Sequence, residues 1–313
     1  MIDRISIIKF ESVSKTSLLV WAIILVLYTL WNVTIVGFGI EHIILPLLYF
    51  VSYYIHPNSR KVLLGYLPII TYIFLYDSLK GFPSYLHTTV HIKDLYDYEM
   101  ALFGISTESG LLTPNEYLQQ NTHPHQDIIT GLFYLMWMPM VLAFAFYLWF
   151  KDKLLMLRFG STFLLVNLIA FVVYYIYPAA PPWYVEEYGF IENFNISTSA
   201  AGLVRFDQVL GIDMFRQMYT KGSNVFGAVP SMHSAFPMVV LFYGLKYKRK
   251  WVQNINFLII VLGIWFAAVY SNHHYILDII AGALCAVLGY VLFEGVLMKT
   301  KIGYWLKQLS EKI

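Results

Sequence analysis

Apolar residues fall into eight runs of bilayer-crossing length or nearly so, at about residues 17–38, 40–56, 62–79, 128–150, 154–177, 232–247, 254–271 and 276–297. Two longer irregular stretches, 80–127 and 178–230, interrupt the pattern. The runs have helical length and lack strand alternation, and in hydrocarbon every backbone N–H and C=O needs an internal partner. They predict an all-α fold, a polytopic membrane helical bundle of about eight transmembrane helices. The first run follows basic residues and has no small-residue cleavage site after it, so it reads as a retained helix. No internal repeat or low-complexity segment divides the chain, which reads as one integral domain over 1–313. Two N-terminal helices (17–56) would precede the remaining ones (62–297).

Composition supports lipid as the main solvent: of 313 residues, 58% are hydrophobic and 13% charged. The net charge of +2 is spread without a basic block, which argues against nucleic acid as a partner. Cys285 is the only cysteine, excluding an intramolecular disulfide and Cys-rich metal sites. Of the 21 Lys and Arg residues, all but Lys80, Lys93, Arg205, Arg216 and Lys221 fall on one side if both ends lie inside. Cationic loops stay cytoplasmic, so both termini are expected there, with the two long stretches outside, in a periplasm or an organelle lumen such as the Golgi. The outer stretches hold the turn formers and amphipathic aromatics, including the corner Pro181-Pro182-Trp183-Tyr184. Residues 94–103 alternate charged and bulky apolar positions at roughly helical spacing, which suits an interfacial helix or, alternatively, an ordered loop.

Under this topology His233 starts the sixth run, and His274 and Asp278 start the eighth, all at the outer face. A histidine and an aspartate four apart share one side of a helix, so the carboxylate can accept from Nδ1–H and leave Nε2 free as a nucleophile. The other imidazole can then donate a proton to a leaving alkoxide and take one from an incoming hydroxyl. A histidine at a helix end is more often structural. Ionisable groups at membrane depth are nevertheless functional-site candidates, and Asp278 would be expensive there without a partner.

The run FGAVPSMHS over 226–234 resembles the second signature of the type 2 phosphatidic acid phosphatase superfamily, and VYSNHHYILDIIAG over 269–282 resembles its third. Within that superfamily the likeness is closest to inositol phosphorylceramide synthases, with sphingomyelin synthases more distant. It extends from about Asp77 to Gly282 through Pro181-Pro182-Trp183-Tyr184 and residues 202–213. The resemblance implies a six-helix catalytic core, with His274 as nucleophile, Asp278 as its orienter and His233 as general acid and base. It also implies a phosphatidylinositol-like phospholipid donor, a ceramide-like acceptor, a phosphohistidine intermediate and release of diacylglycerol. Neither a metal nor a cofactor has a role in that chemistry.

The chain departs from the superfamily's hydrolases at two places. Ala268 stands where they usually carry Arg, six residues before the nucleophile, and their Lys followed by Arg-Pro is missing around Asp77 and Lys80. Two fewer cations favour a phosphodiester monoanion over a monoester dianion. Arg205, Arg216 and Lys221 are the outer cations nearest the signatures. Arg205 is the preferred phosphate contact, the alternative being an ion pair with Asp207 or Asp213. Ser231, His273, Tyr275, Asp77 and Lys80 complete the candidate substrate-binding set, with Lys80 alternatively snorkelling to the interface. His87 with His91, and His123 with His125, have metal-like spacing but no accompanying Cys or Glu motif. Asn195 opens a glycosylation sequon that matters only in a eukaryotic host. A lipid phosphatase using water as acceptor is the second reading. A transporter is the third, disfavoured because the runs carry almost no internal charge.

Overall fold

A computed structural model describes residues 15–37, 39–108, 110–220, 225–247 and 250–313. Its helices are α1 (Lys15–Trp31, continued by a π-helical turn Asn32–Val36), α2 (Glu41–Ile55), α3 (Pro57–Ser78), α4 (Lys93–Phe103) and α5 (Pro114–Gln120). Next come α6 (Pro124–Leu135), α7 (Trp137–Lys151), α8 (Lys153–Ile176), α9 (Pro182–Tyr188) and α10 (Val204–Leu210). The series ends with α11 (Met214–Tyr219), α12 (Met232–Lys246), α13 (Trp251–Tyr270), α14 (Ile276–Gly295) and α15 (Lys301–Lys312). A small antiparallel hairpin pairs Ile105–Thr107 with Gly110–Leu112.

Every apolar run of the sequence is helical, and residues 94–103 form α4. By length and hydropathy, Lys15–Val36, Lys153–Ile176, Trp251–Tyr270 and Ile276–Lys299 are each long and apolar enough to cross a membrane. α6 and α7 make a fifth span if taken together, bent by 42°. The chain is an integral membrane protein. The other three runs are helices of different character: α2 and α12 have 15 residues each, and α3 has 22 but is less apolar. The bend after α6 has a local cause. Pro139 has no N–H to offer Leu135, and its ring crowds that carbonyl, so the helix breaks at Met136.

The main core lies among α3, α7, α8, α12 and α14, where Tyr72, Phe144, Phe163, Phe236 and Tyr243 are buried together. A second cluster joins α6, α10, α11 and α13 around Tyr134, Phe206 and Phe215. α12 is central, packing on α7, α8, α13 and α14. Its approach to α14 is close because Gly282 lies against the Ser231 carbonyl, where a Cβ would overlap that oxygen. At the opposite end of these helices Glu294 binds Arg158, Lys246 at 2.9 Å and the Tyr243 hydroxyl at 2.6 Å.

Candidate active site

The first turn of α12 and the first turn of α14 meet side by side. Ser231 N donates to the Asp278 carbonyl at 3.0 Å, and Ser234 Oγ to the Ile279 carbonyl at 2.8 Å. Ser231 also caps α12, its Oγ accepting from Ser234 N. Pro237, four residues after His233, has no N–H to close on the His233 carbonyl, which relaxes that turn. The loop between α13 and α14 is wound tightly: Asn272 takes φ 62°, and the amides of His273 and His274 both donate to the Ala268 carbonyl at 3.1 Å. A positive φ suits Asn better than a bulky residue.

These two turns bring the distant imidazoles together. His233 Nδ1 lies 3.0 Å from His274 Nε2, and His274 Nδ1 lies 3.3 Å from Asp278 Oδ2. Asp278 Oδ2 also accepts from Tyr275 N at 2.9 Å, so one carboxylate oxygen both starts α14 and orients the imidazole. With Asp278 accepting from Nδ1–H, His274 Nε2 carries a lone pair that accepts from His233 Nδ1–H. Burial pushes His274 down to about 4, the Ala228 carbonyl partly opposing, which keeps the ring neutral and nucleophilic at ordinary pH. His273 is pushed down to about 3 by burial and by His274, and its Nε2–H donates to the Ala200 carbonyl at 3.1 Å.

All three histidines line one cavity of about 380 Å³. It runs from the histidine-bearing turns past Trp137 toward Tyr72, Asn167, Phe171 and Tyr174, so its far wall is aromatic and lies between α3 and α8. Among the described residues, no Lys or Arg lines it.

The remaining sequence candidates lie elsewhere. Arg205 does not line the cavity. Its Nε binds Asp127 at 2.7 Å and its Nη1 binds Gln119 at 2.6 Å, while its Nη2 reaches the Tyr270 carbonyl at 3.2 Å. Asp207, suggested as its partner, instead accepts from the amides of Phe215 and Arg216, and Asp213 pairs with Arg216. Tyr275 lines a separate polar pocket with Asn115, Glu116 and Glu186. Asp77 binds His42 Nε2 at 2.9 Å. The side chain of Lys80, and Lys221 altogether, lie outside the described residues. His91 binds Asp94 and stacks on Tyr177, while His123 caps α6.

Two supports of the loop between α13 and α14 escaped the sequence reading. α5 presents Asn115 and Gln119 four residues apart. Asn115 Nδ2 donates to the carbonyls of Val269 and His274, both at 3.0 Å, and Gln119 Nε2 to that of Tyr270 at 2.8 Å. The sequence signal was the Thr113–Glu116 capping box that starts this helix. From α4, the fully buried Glu99 accepts from Ile276 N at 2.9 Å and Leu277 N at 3.1 Å, holding the start of α14. Its signal was a carboxylate four residues after Leu95, on the buried face of an amphipathic helix.

Residues 106–292 match the model of the PAP2 superfamily. The chain belongs to that superfamily. The chain is similar to a protein named phosphoinositol dihydroceramide synthase, from Bacteroides thetaiotaomicron, at 39% identity over 289 residues, covering 92% of this chain and 95% of the relative. The inositol phosphorylceramide synthase of Candida albicans is 30% identical over 77% of this chain. The catalytic subunit of the Saccharomyces cerevisiae inositol phosphorylceramide synthase is likewise 30% identical over 77%. The chain spans 50% and 58% of those two fungal proteins. No solved structure matches. Both imidazoles and Asp278 fall inside the superfamily segment, whereas Glu99 lies before it.

Proposed function

We propose that this chain transfers a phosphoinositol-type headgroup from a phospholipid to a ceramide-type acceptor and releases diacylglycerol. The observation that carries the reading is the Asp278–His274–His233 chain of contacts at the wall of a cavity of about 380 Å³ lined largely by aromatic residues, in a chain alike over most of its length to a phosphoinositol dihydroceramide synthase. His274 Nε2 forms a bond to the donor's phosphorus while the bond from phosphorus to the diacylglycerol oxygen breaks. His233, which enters this step as the imidazolium beside the anionic phosphate, gives that oxygen its proton and is left neutral. The acceptor's primary hydroxyl then attacks the phosphohistidine, the N–P bond breaks, and the hydroxyl proton passes to His233. Asp278 holds the ring in place and offsets its positive charge.

In-line attack puts the leaving oxygen on the far side of phosphorus from Nε2. His233 therefore has to leave its 3.0 Å contact and move outward by roughly the 3 Å that separates reacting atoms. A monoanionic diester needs less countercharge than a dianion, which suits a cavity where His273 and His274 are neutral and His233 alone among the three carries the transferable proton. The excess of Lys and Arg in the loops at the opposite side supports a non-cytoplasmic site, periplasmic or lumenal, with both termini cytoplasmic.

The test is a headgroup-transfer assay on purified protein, with phosphatidylinositol or a phosphatidate-type monoester as donor, with and without ceramide. Diacylglycerol release should come from the diester, depend on ceramide and proceed with retention at phosphorus. His274→Ala should lower it by about 10³-fold or more in a folded protein. Full activity in that variant sinks the assignment. Ceramide-independent release would assign the chain to hydrolysis, and equal turnover of the monoester would remove the charge argument.

A further inference from the structure

Within the aromatic wall of the cavity lies one polar side chain that catalysis does not use. Asn167 on α8 is fully buried and lines the cavity together with the catalytic histidines. Its Nδ2 donates to the Phe163 carbonyl one turn back in the same helix, at 2.8 Å. That bond settles the amide's orientation, because the flipped amide would set oxygen against oxygen. Oδ1 is left buried with no hydrogen-bond partner. An unsatisfied polar group in a membrane-spanning helix is costly, and groups of this kind mark substrate pathways. Asn167 sits two turns along α8 from Tyr174, whose hydroxyl donates to the Pro230 carbonyl beside the start of α12. Phe163, one turn before Asn167, packs on Phe236, three residues into α12 from His233, with ring centroids 4.5 Å apart, which sets Asn167 near the depth of His233, beside the part of a lipid next to its reacting group.

We infer that Asn167 is a specificity residue whose Oδ1 accepts a hydrogen bond from an N–H or O–H of the acceptor lipid, next to the hydroxyl that receives the headgroup. The inference rests on the transferase reading above and extends it to how the acceptor is chosen. A ceramide-type lipid carries two such donors, its amide N–H and its secondary hydroxyl. Diacylglycerol, the leaving group, has ester oxygens there and nothing to donate beyond its reacting hydroxyl. A site with a buried acceptor discriminates against a molecule that leaves it unpaired, and does so more strongly than an apolar wall discriminates by shape. Asn167 therefore favours the forward acceptor over return of the headgroup to diacylglycerol.

The experiment compares ceramide, an N-methylated ceramide and a 3-deoxyceramide as acceptors for wild type and for the near-isosteric Asn167→Leu. Wild type should lose about tenfold to a hundredfold in kcat/KM with the analogue that lacks the donor being read, which also says whether that donor is the N–H or the hydroxyl. In Asn167→Leu, ceramide should fall to the level of that analogue and the discrimination should vanish. The covalent mechanism predicts an unchanged kcat/KM for the phospholipid donor. Ratios between acceptors do not depend on how much of the variant is folded. Equal use of all three acceptors by wild type, or full discrimination retained in Asn167→Leu, overturns the inference alone. A wild-type protein that transfers no headgroup even to ceramide removes the underlying reading as well.

Discussion

Glu99 shows how a residue remote from the reacting atoms can set their alignment. Its carboxylate takes the first two amides of α14, the helix whose third residue is Asp278. Burial pushes Glu99 up to about 7, with the two amides opposing and the charge of Asp278 adding to the rise. A carboxyl raised from an ordinary 4.5 stabilises the fold fully below about 4.5, and that contribution is lost as pH climbs through 7. The thermal midpoint of wild type, compared with that of Glu99→Gln, should therefore fall between pH 5 and pH 8, by the equivalent of at most about 3 kcal/mol. Parallel pH profiles for the two proteins would show that Glu99 does not titrate in this range. Arg205 marks the limit of reading such roles from sequence. It is one of three cations near the signatures along the outer loop, yet its partner Asp127 stands 78 residues earlier, and together they secure the Tyr270 end of the loop between α13 and α14. Sequence proximity cannot reveal a partner supplied by another helix. The spacing of His274 and Asp278 made the pair legible, but not through a shared helix: His274 precedes Tyr275, the N-cap of α14, and the Asp278 carboxylate reaches back to it over the first turn.

At the level of elements, the 3.0 Å contact between imidazoles depends on how closely α12 and α14 approach. Gly282 permits that approach at the histidine end, whereas Gly289, farther along, permits the approach of α14 to α8, where a Cβ would overlap Val166. A methyl at 282 pushes Ser231, and with it His233, away from α14, and a displacement of about 1 Å at reacting groups can cost about 10²-fold in rate. Gly282→Ala should lower kcat by that order, while Gly289→Ala lowers the thermal midpoint with kcat little changed. Equal effects on kcat from both would indicate general loosening. The apolar runs announced both helices, since hydrophobic length survives any packing. Their separation was not legible, because it is fixed by a side chain that is missing. The break between α6 and α7 was within reach: Pro139 stands in the run read as one span, 128–150, and a proline there removes the bond to Leu135.

For the molecule as a whole, the arrangement is polar at two opposite ends and aromatic between them. One end holds the histidines, α5, α9 and the corner at Pro181, where Trp183 N donates to the Asn272 carbonyl at 3.0 Å. The other holds the Arg158, Glu294 and Lys246 cluster. A charged cluster and a histidine-lined cavity at opposite ends of the same helices suit the two faces of a bilayer, and the Lys and Arg bias of the sequence predicts that the histidines face away from the cytoplasm. The single native cysteine is buried, so added cysteines can be read without removing it. Glu192→Cys, in the exposed stretch after α9, should react with a membrane-impermeant maleimide added to intact cells or sealed vesicles of known sidedness. Trp251→Cys, 73% exposed at the start of α13, should react only after the membrane is opened. The reverse pattern would place the histidines on the cytoplasmic face. The donor would then have to be drawn from the inner leaflet, and the headgroup would be transferred on the side where the termini lie.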